Sequence, residues 1–312
     1  MAHLILDGDA SREEWLQRRH EGVTASEIAV IMGLAPSAWG SPLALYLTKR
    51  GDIPEEELTS EPVMLGHYLE EYVCERFAER YPEYFQLGNG QHLYSHPDYP
   101  WRLATPDRVL TESEDGEPVA VLEAKTSASY EDWGEEGTDE IPVRYRSQVI
   151  WQMHVLELEL AYVACLFMSS RKTKVYTVRM NAAANADLEL MTKSAEDFLD
   201  MVASGTPPDI DWRDATRDAL KKLHPDLEDY EIVIPVKLAS QYSNAVTAER
   251  RAILRRKQAE NEIRARLGNG RVVTDFEGNV IAMRQRYDVP ARITEHKAFS
   301  VDKLVPRRER ES

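Results

Sequence analysis

Apolar and polar positions follow strand-like and helix-like periods along most of the chain. The run VAVLEA at residues 119–124 is apolar and β-branched and stands behind the turn signal Asp115-Gly116-Glu117-Pro118, so it reads as a strand. Its expected hairpin partner is the stretch 103–110. On a strand, alternate side chains share a face, which sets Val121, Glu123 and Lys125 on one side and Ala120, Leu122 and Ala124 on the other. Further strands are expected at 85–94, 101–110, 160–168 and 174–180, the last two as a hairpin. Helical spacing marks 12–22, 62–81, 141–156 and 181–204. In the stretch 62–81 the apolar residues Leu65, Leu69, Val73 and Phe77 recur on one stripe.

Local signals fix several helix ends. Thr24 followed by Glu27 forms a capping box, and Gly33 is a stop for the helix it opens. Ser41-Pro42 supplies a cap and a first-turn proline for a helix running to about Arg50. Gly205-Thr206-Pro207-Pro208 is a boundary, which divides the chain into a core at 1–204 and an extension at 205–312. The extension holds a short helix at 211–223, a long one at 238–267 and a hairpin around Glu277-Gly278. Residues 52–61 form an acidic loop, and the last residues from Pro306 read as frayed.

Composition alters this picture in three ways. A chain of 312 residues, 43% hydrophobic, buries a large core, and no run reaches the length of a membrane span. The start lacks a basic, then apolar, secretory pattern, and the two cysteines, Cys74 and Cys165, read as buried thiols in a reducing cytoplasm. They are too few for a four-thiolate metal site. The formal charge is −16, yet residues 236–312 carry 17 Lys+Arg against 10 Asp+Glu. That is +7, which leaves −23 on the rest and makes the long helix, with Arg250, Arg251, Arg255, Arg256 and Lys257, a local basic footprint.

The candidate chemistry lies at the end of the 119–124 strand. Glu123 and Lys125 are charges on an otherwise buried strand and need partners, and Asp107 of Pro106-Asp107 faces them. Two carboxylates and an ammonium suit hydrolysis of a phosphodiester with Mg²⁺ or Mn²⁺ held by hard oxygens. The plain alternative is a hairpin bearing an ordinary surface pair. Glu70 shares a helix face with Gly66 and His67, either as solvated surface or beside a close-packed element. Gln148 and Gln152, one helical turn apart, are neutral donors within reach of DNA phosphates or a metal-bound water, or else structural amides. Arg19 and Ser26, with Thr24, stand at a helix entrance that suits a phosphate, against the reading of a capped surface helix.

Five blocks in order carry a resemblance: Arg19 with GVTASE, Gly66-x-x-x-Glu70, Ala104-Thr105-Pro106-Asp107, Leu122-Glu123-Ala124-Lys125, and Arg146-Ser147-Gln148-Val149 leading to Gln152. Over about 11–204 the chain resembles the YqaJ-type viral recombinases, the family of phage lambda exonuclease, within the PD-(D/E)-x-K superfamily. The resemblance implies an α/β, restriction-endonuclease-like core, a central mixed sheet flanked by helices, with a helical and hairpin extension. It implies that Asp107, Glu123 and the carbonyl of Ala124 hold the metal, with Lys125 beside the attacking water. Glu70 would help hold a second ion, Gln148 would lie at the active centre, and Arg19 and Ser26 would bind a 5′-phosphate. The implied activity is Mg²⁺-dependent 5′→3′ digestion of one strand of duplex DNA by a ring-shaped trimer working with a single-strand annealing protein. The long acidic loop between Asp107 and Glu123 and the tail after Gly205 depart from the family pattern. An endonuclease on the same fold and a catalytically silent DNA-binding module are the competing readings.

Overall fold

The computed structural model describes residues 2–55, 61–89 and 91–286. The expected loop positions 56–60 and the frayed end lie outside them. In chain order the elements are β1 (His3–Leu6), α1 (Arg12–His20), β2 (Val23–Thr24), α2 (Ala25–Ile31), α3 (Pro42–Lys49), α4 (Glu61–Arg80), β3 (Phe85–Leu87), β4 (Leu93–Ser95), β5 (Arg102–Ala104) and β6 (Arg108–Thr111). Then come β7 (Pro118–Ser127), α5 (Val143–Leu156), β8 (Leu160–Phe167), β9 (Lys172–Arg179), α6 (Ala182–Ser204), α7 (Asp214–Leu223), α8 (Val236–Leu267), β10 (Val272–Thr274) and β11 (Val280–Met283).

A five-stranded sheet in the order β3-β6-β7-β8-β9 forms the centre. Its strands pair antiparallel except β7 with β8, which are parallel and joined through α5. The alternation in β7 sorts its two faces as the sequence implies. Val121 packs into a cluster with Val149, Trp151 and Met153 of α5 and Ala184 and Met191 of α6. Ala120, Leu122 and Ala124 pack instead with Val73, Cys74 and Phe77 of α4. Helices thus cover both faces of a mixed sheet.

A second, four-stranded sheet in the order β1-β4-β5-β2 corrects the strand expectation. The stretches 85–94 and 101–110 are not single strands. Each crosses between sheets: β3 and β6 belong to the central one, β4 and β5 to the smaller. Pro106, which has no N–H to give a ladder, lies in the gap between β5 and β6. The hairpin partner of β7 is therefore β6 alone, with Arg108 opposite Leu122 and Val109 opposite Val121. Strands β1 and β2 had no signal, since four and two residues are too short for a period to register.

Helix α5 ties the two sheets together. Trp151 is fully buried and its indole Nε1 donates to the Leu103 carbonyl of β5 at 3.2 Å. Truncating such a side chain costs about 3–5 kcal/mol. Capping follows the expected chemistry: Thr24 and Glu27 make the reciprocal box, and Ser41 accepts from the Ala44 amide at 3.1 Å. Gly205 ends α6 with φ +72°, a left-handed backbone for which glycine is suited.

The chain divides into two units, Met1–Pro225 and Asp226–Ser312. The boundary lies beyond Gly205 because α7 packs on α3, where Ala219 shares a core cluster with Leu43, Tyr46, Leu47 and Phe198. The second unit consists, among the described residues, of α8 and the antiparallel β10-β11 hairpin. No residue of α8 is buried, so its arginines are free to meet solvent.

Candidate active site

The corner between the two sheets places Asp107 next to the end of β7. Its Oδ2 accepts a hydrogen bond from the Ala124 amide at 2.7 Å. Glu123 follows from β7 on the α5 face and is only 1% exposed. One of its oxygens, Oε1, meets the Lys125 ammonium and accepts from Gln148 Nε2 at 2.6 Å. The other, Oε2, accepts from Gln152 Nε2 at 2.8 Å. Period-two spacing on β7 and the i,i+4 spacing on α5 thus bring three side chains, Lys125, Gln148 and Gln152, onto the Glu123 carboxylate.

Charge in this corner is unevenly matched. Burial and the adjacent Glu123 push the Asp107 carboxyl well above its usual range, and Lys125 only partly opposes them. Burial alone would lower the Lys125 pKa, but Glu123 and Asp107 more than reverse this and hold it above the ordinary lysine value. Burial also raises Glu70, against the pull of Arg108, with Glu123 adding to the rise.

Glu70 is set apart from the other two acids. Its Oε1 meets Arg108 at 3.3 Å, and Arg108 also pairs with Glu71 and donates to the Asp107 carbonyl at 2.6 Å. Arg108 is opposite Leu122 and so lies on the α4 face of the sheet, whereas Glu123 and Lys125 lie on the α5 face. Arg108 carried no sequence signal: a basic residue after Asp107 is ordinary until the fold buries it between two glutamates. Among the described residues no three His, Cys, Asp or Glu side chains stand close enough to hold an ion by themselves. What the corner offers is the carboxylates of Asp107 and Glu123 and the strand carbonyl of Ala124. Mg²⁺ takes only one or two carboxylates, completing its shell with water and substrate phosphate, so the hard-oxygen set fits such an ion. An under-compensated Asp107 beside Glu123 fits it as well, since a cation there relieves their repulsion.

Gln152 corrects one expectation. It is fully buried, so it does not reach DNA, and its amide instead fixes the orientation of Glu123. Its Oε1 has no hydrogen-bond partner among the described residues. At the other candidate patch, Ser26 is exposed and its hydroxyl lies 3.3 Å from that of Thr24. Arg19 is engaged by Glu27 at 3.4 Å and Glu55 at 3.3 Å and lies over the Trp15 ring. Helix α2, which carries this patch, packs on α5 in the same core cluster.

The mixed central sheet, helices on both faces and an Asp107…Glu123-x-Lys125 set at one strand end define a fold of the PD-(D/E)-x-K class. The model of the YqaJ-like viral recombinase domain matches residues 14–159. The Bacillus subtilis (strain 168) protein YqaJ is 30% identical over 235 residues, 74% of this chain and 69% of that protein. The chain belongs to the YqaJ-like viral recombinase family. It is also similar to the crystal structure of an alkaline exonuclease from Laribacter hongkongensis, with 18% identity, 62% of this chain and 94% of that one covered, and a TM-score of 0.48. A phage-related exonuclease from Haemophilus somnus 129PT matches with 12% identity, 59% and 96% coverage, and a TM-score of 0.39. Among the described residues no helix is long and apolar enough to cross a membrane.

Proposed function

We propose that this chain is a metal-dependent DNA exonuclease that digests linear duplex DNA, 5′→3′, in viral-type recombination. The observation that carries the reading is the buried pair Asp107 and Glu123 with Lys125 at the end of β7. Asp107, Glu123 and the Ala124 carbonyl would hold Mg²⁺, or Mn²⁺ in its place. That ion, when bound, polarises the phosphate and lowers the pKa of a bound water.

The chain's own groups do the rest. Gln148 and Gln152 hold Glu123 from two sides, so its oxygens are fixed before substrate arrives. Lys125 stays an ammonium beside two carboxylates, and it donates to the attacking water or to the oxygen that gains charge. Arg108 pairs with Glu70 at the rear of the corner, where Glu70 is available for a second ion. Ser26 and Thr24, with Arg19 behind them, are the proposed seat of a terminal 5′-phosphate. The exposed arginines of α8 suit the DNA backbone.

The test uses linear duplex DNA labelled at each 5′ and 3′ end, with and without a 5′-phosphate, beside a closed circular duplex. In Mg²⁺ or Mn²⁺ the linear DNA should shorten progressively from phosphorylated 5′ ends, with the circle intact and no reaction in chelator. A nicked circle would instead mark an endonuclease, and intact DNA in every mixture would mark a binding module.

A further inference from the structure

Beside the corner, and used by none of the steps above, a row of rings and cations leads outward from Lys125. The Lys125 ammonium lies 5.3 Å from the centre of the Tyr145 ring. The Arg144 guanidinium lies 4.5 Å from the same ring and 5.4 Å from the ring of Trp39. Trp39 is 60% exposed, so one face of a large aromatic ring is open to solvent.

Two features separate this row from ordinary surface. Arg144 has no carboxylate within ion-pairing distance among the described residues, whereas Arg146, on the same helix, pairs with Asp139 at 2.8 Å and Asp187 at 3.5 Å. The Arg144 Nε is also buried without a hydrogen-bond partner among the described residues. Moreover, the turn that presents Trp39 is held in place: Ser37 donates from Oγ to Asp214 at 3.0 Å, and its carbonyl accepts from the Ala215 amide at 3.0 Å. Helix α7, from beyond the Gly205 boundary, thus braces the loop carrying Trp39.

The geometry points to a subsite for one unpaired nucleotide next to the scissile phosphate, with its base on the Trp39 ring and its phosphate on Arg144. This rests on the reading of Asp107, Glu123 and Lys125 as the nuclease centre. An indole face stacks any base without regard to sequence, and a guanidinium free of carboxylates accepts a phosphate. Bases inside a duplex already cover each other's faces. A blunt end exposes only the outer face of its terminal pair, whereas an unpaired base is free to turn onto Trp39, so the subsite favours a frayed end.

The experiment measures anisotropy of labelled DNA in chelator, with wild-type protein, Trp39→Ala, Trp39→Phe and Arg144→Gln. One duplex ends in a few unpaired nucleotides, and a second has the same end with the bases removed. Trp39→Ala should weaken binding of the unpaired end roughly ten- to hundred-fold, the range of a single base–aromatic stack. Trp39→Phe should restore most of it, Arg144→Gln should weaken both DNAs, and the abasic end should bind wild type and Trp39→Ala alike. Equal binding of the unpaired end by wild type and Trp39→Ala, or an equal loss on the abasic end, would overturn the subsite. If wild type cleaves DNA in Mg²⁺ while Trp39→Ala binds normally, only the subsite falls. If wild type never cleaves but Trp39→Ala still shows the base-dependent loss, the nuclease reading falls and the nucleotide site stands.

Discussion

Glu27 and Glu123 are both buried glutamates in the first unit, and their surroundings are opposite in kind. Glu27 has Lys49 at 3.1 Å, Arg19 at 3.4 Å and the Thr24 amide at 3.0 Å. Burial by itself raises its pKa, but Lys49, Arg19 and the Thr24 amide outweigh burial and hold it below the ordinary value. Glu123 shares one ammonium with Asp107, and its other partners are the neutral amides of Gln148 and Gln152. The first arrangement has charge to spare and stabilises the ionised acid; the second leaves Asp107 raised well above its usual range. A carboxylate buried for structure comes with its counter-charges, and one buried for chemistry leaves a place for a cation.

Neutralising an acid at the two centres should therefore act in opposite senses. The largest effect is expected at the compensated one. Glu27→Gln removes the counter-charge of the Lys49 ammonium, only 2% exposed and left with backbone carbonyls, and should cost about 3–5 kcal/mol in urea unfolding, the range for removing one partner of a buried pair. The pH dependence has a definite sign. A lowered folded pKa contributes stability that is fully present above the ordinary 4.5 and is lost as pH falls toward the folded value. Wild type should therefore lose stability faster than Glu27→Gln on the acid side of 4.5.

Next in size, Gln152→Ala removes the donor on Glu123 Oε2 and should cost about 1–3 kcal/mol. It should also lower the turnover of cleavage more than it alters DNA affinity. Smallest and opposite in sign, Asp107→Asn removes the repulsion with Glu123 while keeping an acceptor for the Ala124 amide. The metal-free protein should then melt roughly 2–4 °C higher, about 1 kcal/mol, and Mn²⁺ should stabilise wild type but not the variant. A lower midpoint would show that Asp107 is as well compensated as Glu27, and the contrast would collapse.

Much of this was legible before the fold was known. VAVLEA with Glu123 and Lys125 two apart, the Thr24–Glu27 box and the Gln148–Gln152 spacing are local patterns, and local geometry turns them directly into shared faces. What was not legible depends on contacts far apart in sequence. The division of 101–110 between two sheets is decided by pairing partners, not by the residues themselves. The burial of Lys49, Arg108 and Gln152 is equally non-local, because each looks like solvated surface until another element closes over it. The position of Glu70 opposite the α5 face could be read only once α4 and α5 were assigned to different sides.

The most direct test of the central claim is to compare wild type with Lys125→Ala on linear duplex DNA in Mg²⁺, following cleavage and, in chelator, binding. Cleavage should fall by at least about a hundred-fold, as for loss of a donor to developing charge, while duplex affinity stays unchanged. A variant that cleaves at the wild-type rate would contradict the assignment of Asp107, Glu123 and Lys125 as one hydrolytic centre.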